Sequence, residues 1–149
     1  RVTSGELPGP VRSSEEFERV VRPAARENAY EEIRQGRFAA ARRQLDALAV
    51  ALADDPVWHL YYGDLHRLEA QRAATAAERA VEATGARAAY ERALQLDPGR
   101  AEVHRQLGFL YYASNDLARA REELERYLTL VPGAPDAARI GEYVREFAP

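Results

Sequence analysis

The sequence predicts an all-α protein, a stack of antiparallel helix pairs of the α-solenoid kind. Three observations lead there. In the 34-residue block 101–134, small and large residues fall at fixed offsets: Leu107-Gly108, Tyr111, Ala120, Leu124, Tyr127-Leu128 and Pro132. The same offsets recur twice upstream, less perfectly each time. Ala dominates the composition, and Gly and Pro fall mostly between periodic segments, as in helical proteins. One helix-turn-helix unit cannot bury its apolar face without neighbours, so a spacing this regular is a packing device. At 149 residues the chain is long enough for a domain with a real core.

Taken in order, residues 1–13 carry Gly5, Pro8, Gly9 and Pro10 without periodicity and read as a linker or tail. Ser13 with Glu16 is a capping-box pattern, followed by an apolar stripe at Phe17, Val20 and Val21. Pro23 then either kinks that helix or opens a new one. In the first repeat, about 22–55, Ala29 takes the place of Gly63, and Gly36-Arg37-Phe38 marks the turn. Ala41, Leu45 and Leu48-Ala49 follow in register. Asp55-Pro56 predicts the next helix start, Asp as acceptor for free N–H groups and Pro at the first helical position.

The second repeat, about 56–100, has Trp58, Tyr62-Gly63 and His66 where the third has Val103, Leu107-Gly108 and Tyr111. Ala86, Tyr90, Ala93-Leu94 and Pro98 complete it. Gly63 and Pro98 are 35 residues apart against 24 for Gly108 and Pro132, so 11 residues are inserted, roughly 70–80. Thr75-Ala76-Ala77-Glu78 is a second capping-box pattern within the insert. The insert reads as lengthening both helices by ~1.5 turns each, with a disordered hairpin as the competing reading and Gly85 counting against a long helix. After the third repeat, Pro135-Asp136 opens a last helix with Ile140, Val144 and Phe147 at helical spacing, a cap over residues 135–147.

These residues resemble the tetratricopeptide repeat (TPR) family over about Arg22 to Phe147, with the domain taken as 14–149. The resemblance implies a right-handed superhelix of antiparallel helix pairs whose first helices line a concave groove. Carried over position by position, the groove takes Arg26, Tyr30, Ile33 and Arg34 from the first repeat. The second contributes Leu60, Asp64, Arg67 and Leu68, and the third Glu102, Arg105, Phe109 and Tyr112. Aromatics mixed with Arg are the composition of binding hot spots. The implied role is a non-enzymatic scaffold that holds a peptide or partner helix, with the Arg residues meeting carboxylates. Tyr30 and Glu102 stand where the carboxylate-clamp subclass needs Asn and a base, so chaperone-tail binding is not expected. The run 55–64 and the close at 132–136 also look like TPR tails that follow zinc-peptidase domains in bacterial envelope proteins. A docking or regulatory segment of such an enzyme is therefore the alternative reading, with an envelope location slightly favoured; self-association is a third.

Other chemistries find little footing. All 21 basic residues are Arg, they are interspersed with 24 acids, and the net charge is −3, so there is no electrostatic footprint for nucleic acid. Without Cys there is no disulfide, thiolate metal site or Cys nucleophile. No apolar run approaches the ~20 residues of a membrane span. His59 and His66 lie ~10 Å apart along one helix, too far to share an ion unaided, and His66 with Glu69 is the nearest approach to a ligand pair. No metal or cofactor is expected. Tyr62 and Tyr111 are expected inside the stack. Glu31-Glu32 and Glu122-Glu123 are expected to be solvated, and Ser114 to be a turn residue. Because the chain starts at Arg1 and has no Met, it reads as a processed protein or an excised piece of a longer one.

Overall fold

Local sequence signals place the helix ends of this chain, and apolar faces four and three residues apart pair the helices. The computed structural model describes residue 15 and residues 17–147, so the 1–13 tail, the Ser13–Glu16 box and the side chain of Phe17 lie outside the described residues. Among the described residues there are seven α-helices and no strand. The chain divides into two compact units, one ending at Leu48 and one beginning at Ala49.

In the first unit a π-helical segment, Phe17–Val21, runs into α1 (Arg22–Arg34), and Pro23 sits in the first turn of α1. Pro lacks the N–H that a continuous helix would use, and it falls where the π-helical turn gives way to α-helix. Of the expected apolar stripe, Val20 is exposed and Val21 half-buried. Gly36, at φ 75°, turns the chain into α2 (Phe38–Leu48), a conformation that glycine alone adopts freely. Ala29, Ile33, Ala41 and Leu45 are buried on the facing sides.

In the second unit, Asp55 Oδ1 accepts from the Val57 N–H at 2.9 Å and starts α3 (Pro56–Arg72). Thr75 Oγ1 accepts from the Glu78 N–H at 3.1 Å, while Glu78 Oε2 accepts from the Ala74 N–H at 3.2 Å. That reciprocal pair starts α4 (Ala76–Leu96) and settles the insert as helix. Its length is shared unequally, which corrects the expectation of equal extensions. α3 has 17 residues against 13 in α5 (Ala101–Ala113), and α4 has 21 against 14 in α6 (Leu117–Leu130). Asn115, at φ 59°, makes the α5–α6 turn after Ser114 caps α5, and α7 (Ala137–Glu146) closes the unit.

Two clusters hold the second unit together. One joins α3, α4 and α5 through Leu60, Ala86, Tyr90, Ala93, Val103, Leu107 and Leu110. The other joins α6 to α7 through Leu124, Tyr127 and Ile140. Each helix pair closes over a glycine. A Cβ at Gly63 would stand 2.6 Å from the Tyr90 ring, and one at Gly108 would stand 2.7 Å from Leu124. Gly85, which had counted against a long α4, makes room for the His66 ring, 2.9 Å from where its Cβ would lie.

Candidate functional site

The face made by α3, α5 and α7 carries a polar network at one level and an aromatic cluster at the next. Tyr90 reaches across from α4 and its hydroxyl donates to Asp64 Oδ1 at 2.6 Å, while Arg67 Nε donates to the same hydroxyl at 3.1 Å. Burial pushes the Asp64 carboxyl up to about 6, against the opposing pull of the Tyr90 hydrogen bond and Arg67. Burial likewise raises Tyr90, helped by the neighbouring Asp64 charge. Further along, Arg105 Nε donates to Asp136 Oδ2 at 2.6 Å and the Tyr127 hydroxyl donates to Asp136 Oδ1 at 2.7 Å. These bonds, Tyr127 first, hold the Asp136 carboxyl below its usual value and tie the start of α7 to α5 and α6.

The Arg105 guanidinium lies over the Phe109 ring at 4.9 Å. Phe109 meets Tyr143 edge-on at 6.2 Å, Tyr112 stacks on Phe147 at 5.2 Å, and Tyr143 stacks on Phe147 at 6.4 Å. The four rings line a cleft of about 200 Å³. On the other side of Phe109 a second cleft of about 280 Å³ is lined by Arg67, Ala70, Gln71, Arg79, Ala83, Leu110, Ala113 and Ser114 as well as Phe109. Arg105 also borders a wider hollow with Glu102, Tyr127 and Asp136.

The expected groove residues divide accordingly. Arg67, Glu102, Arg105, Phe109 and Tyr112 lie at or beside these clefts, and Tyr112 is 53% exposed. Leu60 does not: it is 1% exposed, in the core cluster. Asp64 does not either, being 3% exposed and committed to Tyr90. Ile33 is core in the first unit, and Leu68 is half-buried. A one-residue step rotates a helix position by ~100°, enough to carry a side chain from a surface to the core. On α1, Arg34 is exposed beside Glu31, and Arg26 and Tyr30 are half-buried. Tyr143, Gln71, Arg79 and Asp136 were not anticipated. Tyr143, three residues after Ile140, was legible as a face of the cap; Gln71 and Arg79 depend on the geometry of the insert.

Glu123, His104 and His66 are packing groups, and of the three only Glu123 was expected in solvent. Glu123 is buried rather than solvated, and its Oε2 meets His104 Nδ1 at 2.7 Å, while His104 Nε2 faces the Pro98 carbonyl at 3.2 Å. The Glu123 hydrogen bond raises His104 above its ordinary value. His66 Nδ1 pairs with Glu82 at 2.6 Å rather than with Glu69. Tyr62 is half-buried between Trp58 and His66, and it is Tyr61 that packs against the core cluster; Tyr111 too is half-buried, against that cluster. Among the described residues no three His or acidic side chains gather as a metal site, and no helix is long and apolar enough to cross a membrane.

Helix pairs closed over small residues, stacked side by side and capped by a single helix, define a helical-repeat protein. The model of the tetratricopeptide repeat matches residues 71–145, half of the sequence, and the chain belongs to that family. Solved structures agree on the fold. The type III secretion translocator chaperone SycD of Yersinia enterocolitica, in an alternative dimer, is similar at 17% identity and a TM-score of 0.70, over 93% of this chain and 96% of that one. SycD in complex with a peptide of the translocator YopD gives 16% identity and 0.68, over 93% and 96%. TTC0263, a thermophilic TPR protein of Thermus thermophilus, gives 18% and 0.72, over 88% of this chain and 69% of that one. No curated protein matches the sequence significantly.

Proposed function

We propose that the chain is a non-enzymatic protein-interaction module that holds a peptide or a partner helix. In the second unit the holding surface is the inner face of α3, α5 and α7, with Arg67, Glu102, Arg105, Phe109 and Tyr112 as its contacts. In the first unit Arg26, Tyr30 and Arg34 of α1 are the corresponding contacts. The observation that carries the reading is the aromatic cleft of Phe109, Tyr112, Tyr143 and Phe147, left open beside a guanidinium on helices that are otherwise tightly packed. Rings of this kind offer large contact area at little entropic cost, and a surface already formed leaves less to order on binding. That SycD, a protein of the same fold, has been solved with a bound peptide supports the reading. The repeats are taken as about 22–55, 56–100 and 101–134 with a cap at 135–147.

The test is selection of a displayed dodecapeptide library against the full chain, followed by mapping of the selected peptides on its amide NMR spectrum. Shifts centred on Phe109, Tyr112 and Tyr143, weakened at least fivefold by Tyr112→Ala with the circular dichroism unchanged, are the expected result. Peptides that shift only the outer faces of α4 and α6 would show the groove assignment to be wrong.

A further inference from the structure

The eleven-residue insert leaves α3 and α4 projecting beyond the α5–α6 turn, and the projection is not bare. Its inner side supplies Ala70, Gln71 and Arg79 to the cleft of about 280 Å³ whose opposite wall is Phe109, Leu110, Ala113 and Ser114. A second hollow of about 300 Å³ opens on the other side of the same turn, and Ala83, Leu110 and Ser114 line both. The first cleft is largely apolar; among the described residues, the charged groups that line it are the guanidiniums of Arg67 and Arg79, and no carboxylate lines it. Its volume falls just below the ~300–1,000 Å³ of small-molecule sites, a size suited to one bulky side chain.

The charge is available for binding. The two acids flanking Arg79 along α4 are already committed: Glu78 accepts from the Ala74 N–H and Glu82 pairs with His66. The Arg79 guanidinium makes no ion pair or side-chain hydrogen bond among the described residues, and the residue is exposed at the mouth of the cleft. An uncompensated guanidinium beside an apolar cleft complements an apolar side chain next to a carboxylate.

We propose that the projecting ends of α3 and α4, with the α5–α6 turn, form a docking notch for a peptide segment that presents a bulky apolar side chain beside an Asp or Glu. The apolar side chain fills the cleft and the acidic side chain meets Arg79. The inference rests on the peptide-binding reading above and gives it a partner chemistry that the insert creates.

The dodecapeptide selection is repeated in parallel on the full chain and on its Arg79→Glu variant, at low salt, where exposed charge pairs are least screened. Arg79 is exposed, so the variant should keep its helical signal and melting temperature. Wild-type selections should yield acidic–apolar pairs whose binding shifts the amides of Gln71, Arg79, Ala83 and Ser114. Binding should weaken at least fivefold in Arg79→Glu, and at least fivefold when the peptide acid is replaced by its amide. Ala113→Trp, which fills the cleft from an exposed position, should abolish it. Peptides that bind on Tyr112 and Tyr143 and are indifferent to Arg79→Glu would overturn the notch while leaving the groove reading intact. If the library yields no binder to either face, both readings fall.

Discussion

Replacing Gly63 with Ala should destabilise the second unit, although helix propensity alone says the opposite. Ala is favoured over Gly in a helix interior by ~1 kcal/mol. Here, however, the new methyl would lie 2.6 Å from both Cδ1 and Cε1 of Tyr90. Ordinary carbon contact is ~3.5–4.0 Å, so the ring must retreat by about 1 Å. It cannot do so freely, because the ring is fully buried and its hydroxyl is held by Asp64 at 2.6 Å and Arg67 at 3.1 Å. Overpacking of this kind costs ~1–3 kcal/mol, and loosening a hydrogen bond to a charged acceptor removes up to ~1.5–3 kcal/mol. Set against the propensity gain, the net loss is about 2–3 kcal/mol, roughly 6–12 °C in melting temperature. The assay is urea unfolding followed by the fluorescence of Trp58, the single tryptophan, which is buried in α3. Gly99→Ala is the control: its nearest neighbour is 3.9 Å away, so its midpoint should move by less than ~0.5 kcal/mol. A Gly63→Ala protein more stable than the parent would refute the close-approach argument.

Two pH dependences accompany this. His104 has an oxygen acceptor at each ring nitrogen, an arrangement satisfied in full only by the imidazolium, and its value is raised in the fold from 6.5. Its stabilisation is therefore complete below about 6.5 and is lost as the pH rises through the higher folded value; the urea midpoint should fall over that interval, and His104→Gln should flatten the fall. Asp64 also has a raised value, from 3.8 to about 6, because burial disfavours its charge. Stability should then decline between pH 3.8 and about 6, by roughly 3 kcal/mol at ~1.36 kcal/mol per unit. Asp64→Asn, which keeps an acceptor for Tyr90, should show a shallower slope from pH 4 to 6, and an unchanged slope would mean that the carboxyl is not the titrating group.

The helix boundaries were legible because their signals are local. Asp55-Pro56, Thr75 with Glu78 and Gly36 each act within four residues, so reading them needs no knowledge of neighbours. The pairing of α3 with α4 was legible through Gly63 and Tyr90, whose separation of 27 residues is the 16 between Gly108 and Leu124 plus the eleven inserted. The face of each side chain was less so. Leu60 and Asp64 were placed in a groove by register, and both are buried, because each residue turns a helix by ~100° and register alone does not fix which side faces the neighbouring helix.

By itself, then, the sequence determined an all-α stack of helix pairs, its turns, its family and its lack of cysteine chemistry. These follow from spacing and composition, which survive without coordinates. Only the tertiary structure decided what the long-range partners were: Glu123 with His104, Glu82 with His66, Asp136 with Arg105. It also decided how the insert was divided and that Arg79 stands uncompensated at a cleft. Such facts depend on the distance between residues that for these pairs lie 16 to 31 positions apart, set by how two helices pack, and a one-dimensional pattern carries no measure of that distance.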